Sequence, residues 1–307
     1  MKRTFPKLKN KAILSPMAGV TDVAFRTLAK KYGAGLTYTE FLSSSAIVRG
    51  SKKTLSLVKT DPIEKPVAVQ LFGHNIKEVI QAAKLVENKF DIIDINCGCP
   101  AWKVIKTGAG SAMLNDPDKI ATFVGKIVSA VNIPVTVKIR SGIDAKHINA
   151  VDVARKIQDA GASAVAIHGR TQKQGYRGNA DWKIITKVKE EVDIPVIGNG
   201  DVFTPEVFEK RLEESGVDAI MIARGAIGNP YVFTQIKDYI KTGEYDSKDK
   251  KEQFDEYLNL ARKYNIPFLT IKTQAISFTK GTQGGAPLRN KLGVTKMLRQ
   301  LEKVMEK

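Results

Sequence analysis

Residues 92–101 read Ile92-Ile93-Asp94-Ile95-Asn96-Cys97-Gly98-Cys99-Pro100-Ala101, so an apolar run of strand length ends in polar residues, two thiols and a proline. Such a run, bounded by Gly and Pro, is typical of a buried strand that opens into a loop. Both cysteines of the chain lie here. Because Pro100 favours an extended backbone at Cys99, we expect the Cys99 thiol to project from the loop. This segment predicts a parallel strand that ends in reactive groups.

Similar apolar runs recur along the chain and alternate with amphipathic segments. The predicted strands are 12–14, 36–38, 67–71, 92–95, 135–139, 164–167, 196–197 and 219–222. The predicted helices between them include 76–87, 117–131, 150–160, 182–191 and 205–214. Alternation of this kind requires parallel strands joined by crossover helices. Eight strand–helix units predict an α/β fold, a closed (β/α)8 TIM barrel, rather than an open sheet.

The sequence changes character after Gly243. A charged run, Lys248-Asp249-Lys250-Lys251-Glu252, opens a segment with helical periodicity and no strand-like run. We therefore predict two domains, a barrel over residues 1–243 and a small all-helical domain over residues 244–307.

The chain is strongly basic. Its 49 Lys and Arg against 32 Asp and Glu give a formal net charge of +17, which favours a polyanionic partner such as a nucleic acid. Residues 265–301 contain no acidic residue but carry Lys272, Lys280, Arg289, Lys291, Lys296 and Arg299. This pattern predicts a basic face on packed helices, with a merely solvated helical face as the alternative.

Cysteine usage and hydropathy exclude several classes of protein. Two cysteines at i and i+2 cannot staple a fold, and a zinc site would need further ligands from a chain with three histidines. We expect no metal, a reducing cytoplasmic location, and neither export nor membrane insertion, because the basic N-terminus is not followed by an apolar segment.

Polar and small residues follow the predicted strands at the face where TIM-barrel active sites lie. They are Pro16, Met17 and Ala18 after the first strand, Gln70 after the third, Asn96 and Cys99 after the fourth, Lys138 and Arg140 at the fifth, His168 at the sixth, Asn199, Gly200 and Asp201 at the seventh, and Ala223 and Arg224 at the eighth. The last two loops predict a phosphate site, as is frequent in this fold. The absence of an early G-x-G-x-x-G pattern favours a mononucleotide over a tightly held dinucleotide.

Several of these side chains allow more than one interpretation. Lys138 suits a Schiff-base nucleophile, a cation against an electron-rich ring, or a structural ion pair. His168 is either a ligand-binding or a structural histidine, and its position at a strand end beside Arg170 favours the former. Cys97 and Cys99 are either reactive or simply buried small apolar residues, and they point the same way if the strand continues through both.

The motifs together resemble those of a known family. They are Ser15-Pro16-Met17-Ala18-Gly19-Val20-Thr21-Asp22, Gln70-Leu71-Phe72-Gly73, Asn96 with Gly98-Cys99-Pro100-Ala101, Gly108-Ala109-Gly110-Ser111-Ala112-Met113-Leu114, Thr136-Val137-Lys138-Ile139-Arg140, His168-Gly169-Arg170-Thr171, Gly178-Asn179-Ala180-Asp181-Trp182, Gly198-Asn199-Gly200-Asp201-Val202, and Arg224-Gly225-Ala226-Ile227-Gly228-Asn229-Pro230. In this order they resemble the tRNA-dihydrouridine synthases, closest to the bacterial B-type branch.

The resemblance implies a tightly bound FMN, NADPH as the reductant, and a uridine of tRNA as the substrate. It places Pro16, Met17, Ala18 and Gln70 near the flavin ring, Lys138 and His168 against the isoalloxazine, and Asn199, Gly200, Asp201, Ala223 and Arg224 near the ribityl phosphate. It places Asn96, Lys138, Arg140 and His168 near the uracil. Hydride from FMNH2 to C6 and a proton from Cys99 to C5 then complete the reduction.

The resemblance is weaker in the C-terminal part. The family commonly shows Arg-Lys-His, then a Trp-Tyr pair and Lys-Gly, whereas this chain has Ile271-Lys272-Thr273-Gln274, Ser277-Phe278 and Lys280-Gly281. Lys272, Lys280 and Arg289 match the family and are the expected tRNA contacts. We expect the protein to be a monomer.

Three other functions remain as alternatives to a tRNA-dihydrouridine synthase. They are an FMN barrel acting on a small pyrimidine or enone, an aldolase using Lys138, and an RNA-binding barrel without catalysis.

Overall fold

The computed structural model describes residues 3–306 and contains a closed barrel of eight parallel strands in sequential order, with β8 paired to β1. The strands are β1 (Ala12–Leu14), β2 (Thr37–Ser43), β3 (Val67–Phe72), β4 (Ile92–Cys97), β5 (Val135–Arg140), β6 (Ala164–His168), β7 (Val196–Asn199) and β8 (Ala219–Ile222). The prediction of a (β/α)8 TIM barrel is confirmed.

Helices surround the barrel and continue beyond it. They are α1 (Val23–Lys31), α2 (Ser44–Val48), α3 (Lys52–Ser56), α4 (Ile76–Val86), α5 (Trp102–Ile105), α6 (Pro117–Ala130), α7 (Ala150–Asp159), α8 (Trp182–Glu191), α9 (Pro205–Ser215), α10 (Val232–Thr242), α11 (Lys250–Lys263), α12 (Phe268–Phe278), α13 (Gly285–Val294) and α14 (Leu298–Met305).

Side-chain caps fix where the barrel helices begin. Asp22 accepts hydrogen bonds from the backbone N–H groups of Ala24 and Phe25 at the start of α1. Asp116 and Asp181 cap α6 and α8 in the same way. Each cap satisfies a backbone donor that the helix itself leaves free, so each crossover turns at a defined residue.

Some strands are longer than the apolar runs that predicted them. β2 runs on to Ser43 with a register irregularity between Tyr38 and Phe41, and β7 continues to Asn199. Strand pairing uses backbone groups, so polar residues at the strand ends join the ladder although they interrupt the apolar pattern. The polar strand ends are therefore held rigidly by the barrel.

Two of the C-terminal helices contact the barrel directly: α11 packs against α1, and α12 lies against the segment after β8. The ring of Tyr257 in α11 lies edge-on to Phe25 in α1, with 6.5 Å between centroids. A Cβ atom at Gly228 would lie 2.2 Å from the Ser277 carbonyl oxygen of α12, so the backbones there are in close contact. Barrel and C-terminal helices share one apolar core, and the division into domains at residue 243 stays a prediction.

Within residues 3–306, none of the helices combines the length and the apolar character that crossing a membrane requires.

Candidate active site

A cavity of about 520 Å³ opens at the carboxyl ends of the strands, within the usual size range of ligand sites. Its lining includes all the barrel residues predicted above: Pro16, Met17, Ala18, Gln70, Asn96, Cys99, Lys138, Arg140, His168, Asn199, Gly200, Asp201, Ala223 and Arg224. The three predicted tRNA contacts of the C-terminal helices do not line it.

Hydrogen bonds to its backbone N–H and carbonyl groups hold Cys99 at the cavity. The Oδ1 atom of Asn96 accepts hydrogen bonds from the N–H groups of Gly98 (3.1 Å) and Cys99 (2.9 Å), and the Ser111 hydroxyl donates to the Cys99 carbonyl (2.8 Å). The side chain is half-buried, and burial raises the pKa of its thiol. Cys99 therefore keeps its proton at neutral pH, so it is suited to act as an acid rather than as a thiolate nucleophile.

Cys97 has a different environment. It is the last residue of β4 and is fully buried in the apolar core, with its sulfur 3.7 Å from the Met113 sulfur. Burial strongly raises the pKa of its thiol. The strand does not continue through Cys99, so the two thiols do not share one environment, and Cys97 behaves as a small buried apolar residue.

Hydrogen bonds join three buried polar side chains, Asp94, Gln70 and Asn96, to the loop that contains Cys99 (residues 98–101). We call these three side chains the buried amide chain and residues 98–101 the Cys99 loop. Gln70 Nε2 donates to Asp94 Oδ2 (2.7 Å), and Asn96 Nδ2 donates to Gln70 Oε1 (2.8 Å). The Thr136 hydroxyl donates to the other Asp94 oxygen (2.5 Å).

The sequence alone did not indicate Asp94 as a functional residue. It lies inside an apolar run, and the available signal was that a carboxylate in a buried strand requires polar partners. Burial raises the pKa of Asp94 to about 6, although the hydrogen bonds from Thr136 and Gln70 oppose the shift.

The cavity is electropositive beside the Cys99 loop, where β5 pairs with β4. Lys138 Nζ donates to Asn199 Oδ1 (3.1 Å), which uses one of the three N–H bonds of an ammonium group. Burial and the neighbouring Arg140 lower the pKa of Lys138 to about 8. Burial, followed by the charges of Lys138, Arg140, Arg170 and Arg224, lowers the pKa of His168 to about 2, so His168 is a neutral imidazole.

Arg140 lies at the cavity but mainly joins two loops. Its Nε donates to the Gly98 carbonyl (2.8 Å), and its Nη1 donates to the carbonyls of Thr171 (2.9 Å) and Gly175 (3.0 Å). These bonds link the loop after β4 to the loop after β6. Arg140 therefore fixes the position of the Cys99 loop in addition to lining the cavity.

Asp201 orients two arginines at the predicted phosphate site. Its carboxylate accepts hydrogen bonds from Arg170 (2.8 and 2.7 Å), from Arg224 (2.7 Å) and from the Ala180 N–H (2.8 Å). The Arg224 guanidinium also lies over the rings of Tyr176 and Phe203, 5.2 and 5.3 Å from their centroids. A carboxylate repels a phosphate, so Asp201 is placed to hold Arg224 rather than to contact an anion itself.

The C-terminal helices support the loop after β1, a connection that the sequence did not indicate. Gln274 of α12 donates to the Val20 carbonyl (2.8 Å), and the Tyr257 hydroxyl of α11 donates to Asp22 (3.1 Å). The N–H of Gly19 in the same loop donates to Glu40 (2.6 Å). These contacts fix the residues that flank Pro16, Met17 and Ala18.

Two of the three predicted tRNA contacts make hydrogen bonds within the protein. Lys272 donates to the carbonyls of Gly293 and Thr295 at the end of α13, and Arg289 donates to the Thr279 carbonyl at the end of α12. Lys280 is exposed. Lys272 and Arg289 thus complete helix ends, which leaves Lys280 as the most accessible cation of the three.

The described residues contain no group of three or more His, Cys, Asp or Glu arranged to hold a metal ion.

The fold and the cavity define a TIM-barrel enzyme in which a protonated thiol and several cations line one cavity. The chain matches the family model described as "Dihydrouridine synthase (Dus)" over residues 13–305. It therefore belongs to the dihydrouridine synthase family, which confirms the resemblance seen in its motifs.

Individual relatives agree with this assignment. The chain is similar to tRNA-dihydrouridine synthase B of Shewanella oneidensis, at 44% identity over 238 residues, which is 77% of this chain and 74% of the relative. It is similar to tRNA-dihydrouridine synthase B of Pseudomonas aeruginosa, at 43% identity over 239 residues (78% and 72%). A probable tRNA-dihydrouridine synthase 1 of Synechocystis is 41% identical over 260 residues (84% and 72%).

Proposed function

We propose that this enzyme reduces the C5–C6 double bond of a specific uridine in tRNA, with bound FMN as the redox cofactor and NADPH as the reductant. The observation that carries the proposal is that a protonated thiol, Cys99, and the buried cation Lys138 line the same cavity at the mouth of the barrel. The family membership of the chain and the names of its relatives support the same reaction.

The residues of the cavity fit FMN. Pro16, Met17 and Ala18 form a mostly apolar edge that suits a flat ring, and Lys138 lies among the same lining residues. Gly200 and Arg224 at the ends of β7 and β8 suit a phosphate, because small residues and an oriented guanidinium admit and bind an anion. The four cations that lower the pKa of His168 also favour an anionic ligand in this cavity.

Side chains of the protein account for the proton transfer and for the stabilisation of charge in the reaction. When bound, the reduced flavin supplies hydride to C6 of the uracil. Cys99 protonates C5, since its raised pKa keeps the proton on sulfur until it is needed. Lys138 stabilises the negative charge that develops next to it, and neutral His168 can hydrogen-bond to a carbonyl without adding charge.

The uridine must leave its base stack to enter the cavity, so the RNA around it has to be bound outside the barrel mouth. The excess of 49 basic over 32 acidic residues supplies attraction for the RNA. Trp102, which begins α5 three residues after Cys99, is 73% exposed and is suited to stack on a neighbouring base. We further propose that the protein acts as a monomer in the cytoplasm, where its tRNA substrate is found.

Lys138 also supports a second candidate, a Schiff-base aldolase, because its pKa of about 8 suits an amine nucleophile. Borohydride reduction in the presence of aldehydes or ketones would attach the carbonyl compound to Lys138 if this candidate were correct. We expect no such adduct.

The proposed function is tested with purified protein, FMN, NADPH and unmodified tRNA. We expect a flavin absorbance spectrum after removal of free FMN, and a gain of two mass units at one uridine of the tRNA. Free uridine at the same concentration is the control and should react far more slowly. A colourless protein that does not retain FMN, or equal activity on free uridine, would refute the proposal.

A further inference from the structure

We propose that Asp94 is a positioning residue: it sets the donor and acceptor direction of the buried amide chain and so holds the Cys99 loop at the cavity. This inference rests on the proposed function, because its effect falls on the step assigned to Cys99. Asp94 is fully buried and does not line the cavity, so it acts through other residues.

The direction of the buried amide chain follows from the chemistry at its inner end. An ionised carboxylate only accepts hydrogen bonds, whereas a primary amide has a donor end and an acceptor end. Asp94 therefore requires the Nε2 end of Gln70, 2.7 Å away, which turns Gln70 Oε1 towards Asn96. Asn96 must then present its Nδ2 to Gln70, at 2.8 Å.

The outer end of the chain consequently carries an acceptor. With Nδ2 of Asn96 directed at Gln70, its Oδ1 faces the N–H groups of Gly98 and Cys99 at 3.1 and 2.9 Å. If both amides were reversed, Asn96 would oppose these two donors with a third donor. Loss of an acceptor for these two partly buried N–H groups is unfavourable, so only one direction of the chain holds the loop.

Two features fix the carboxylate itself. The Thr136 hydroxyl donates to Oδ1 of Asp94 at 2.5 Å, while Gln70 occupies Oδ2. Both partners come from strands adjacent to β4, since Gln70 pairs with Asp94 across β3–β4 and Thr136 pairs with it across β4–β5. The barrel thus positions the start of the chain, and the chain transmits that position to the loop.

The test compares Asp94→Asn with Asp94→Leu in FMN-loaded enzyme. Asparagine can still offer Gln70 a carbonyl oxygen, and its Nδ2 can donate to the Thr136 hydroxyl, whereas leucine has a similar size and no acceptor. Two rates are measured separately: reduction of the bound flavin by NADPH, and single-turnover reduction of uridine in tRNA. The first does not require Cys99, so it reports on damage elsewhere in the cavity, including at Gln70.

We expect Asp94→Asn to retain uridine reduction within about threefold, and Asp94→Leu to lose about tenfold or more, which corresponds to about 1.4 kcal/mol at the transition state. In Asp94→Leu, flavin reduction should fall by a smaller factor than uridine reduction, because Gln70 lines the cavity but takes no part in the proton transfer. Equal losses in the two variants, or full activity in Asp94→Leu, would overturn the proposal.

Hydrogen exchange in the wild-type protein provides a measurement that does not depend on the folding of either variant. The amide protons of Gly98 and Cys99 should exchange at least about tenfold more slowly than those of an unprotected loop. Rapid exchange at both positions would also overturn the proposal. If the wild-type enzyme does not reduce uridine in tRNA, the proposed function fails, and hydrogen exchange still decides the role of the buried amide chain.

Discussion

The two thiols provide an internal pair for testing the acid. We predict that Cys99→Ala lowers the single-turnover rate of uridine reduction by about 10²–10⁴-fold, the usual contribution of a general acid, or about 3–5 kcal/mol. Binding of FMN and reduction of the flavin by NADPH should be unchanged, because neither step uses the proton of the Cys99 thiol. The measurement is rapid-quench analysis of dihydrouridine in tRNA with prereduced enzyme.

Cys97→Ala is the matched control and should behave in the opposite way. Its sulfur is fully buried and lies 3.7 Å from Met113, so its removal leaves a small cavity in the core. We expect a loss of about 1–2 kcal/mol in the free energy of unfolding, with uridine reduction within about threefold of wild type. Urea unfolding monitored by circular dichroism measures the first quantity.

The combination is discriminating because each variant is expected to change a different measurement. The assignment of Cys99 as the acid would be refuted if Cys97→Ala abolished uridine reduction while Cys99→Ala retained it. It would also be refuted if Cys99→Ala reduced tRNA at the wild-type rate.

Three further predictions concern charge and substrate contact. The pKa of Lys138 is about 8 and its cation is the useful form, so kcat/KM for tRNA should fall as pH rises through about 8. Lys138→Arg should shift this fall to higher pH. A fall at the same pH in the variant would assign it to another group. Lys280→Gln should weaken tRNA binding and lower the slope of log binding constant against log salt concentration by about one unit. Lys272→Gln should mainly lower the melting temperature of the protein, because Lys272 bonds to carbonyls at a helix end. The reverse result would contradict that placement of Lys272. Trp102→Ala should weaken tRNA binding by about 1–3 kcal/mol in filter-binding assays, with Trp102→Phe close to wild type, and an alanine variant with full affinity would rule out stacking.

The sequence revealed the barrel and most of its mouth because both follow local rules. Each apolar run predicted a strand, and the polar residue that ended it was placed by the fold at one face, as Lys138 and His168 illustrate. The TIM-barrel architecture made that inference possible without any knowledge of contacts.

Contacts between distant residues were not predictable in this way. Tyr257 and Asp22 are 235 positions apart, and no local pattern joins them. Lys272 was expected to face RNA because its charge could be read from the sequence, whereas the carbonyls that it contacts became apparent only in the folded chain. Asp94 was hidden for a related reason, since the apolar residues around it dominated the pattern.

The support of the β1 loop by Gln274 and Tyr257 restricts how far this enzyme can be treated as modular. A chimera that exchanged residues 244–307 for those of a relative, in order to redirect the modification to another nucleoside, would also replace two supports of the loop that flanks Pro16 and Met17. A successful graft would have to retain a hydroxyl opposite Asp22 and an amide opposite the Val20 carbonyl. Without these two groups, the exchange would disturb the loop that flanks Pro16 and Met17 at the cavity.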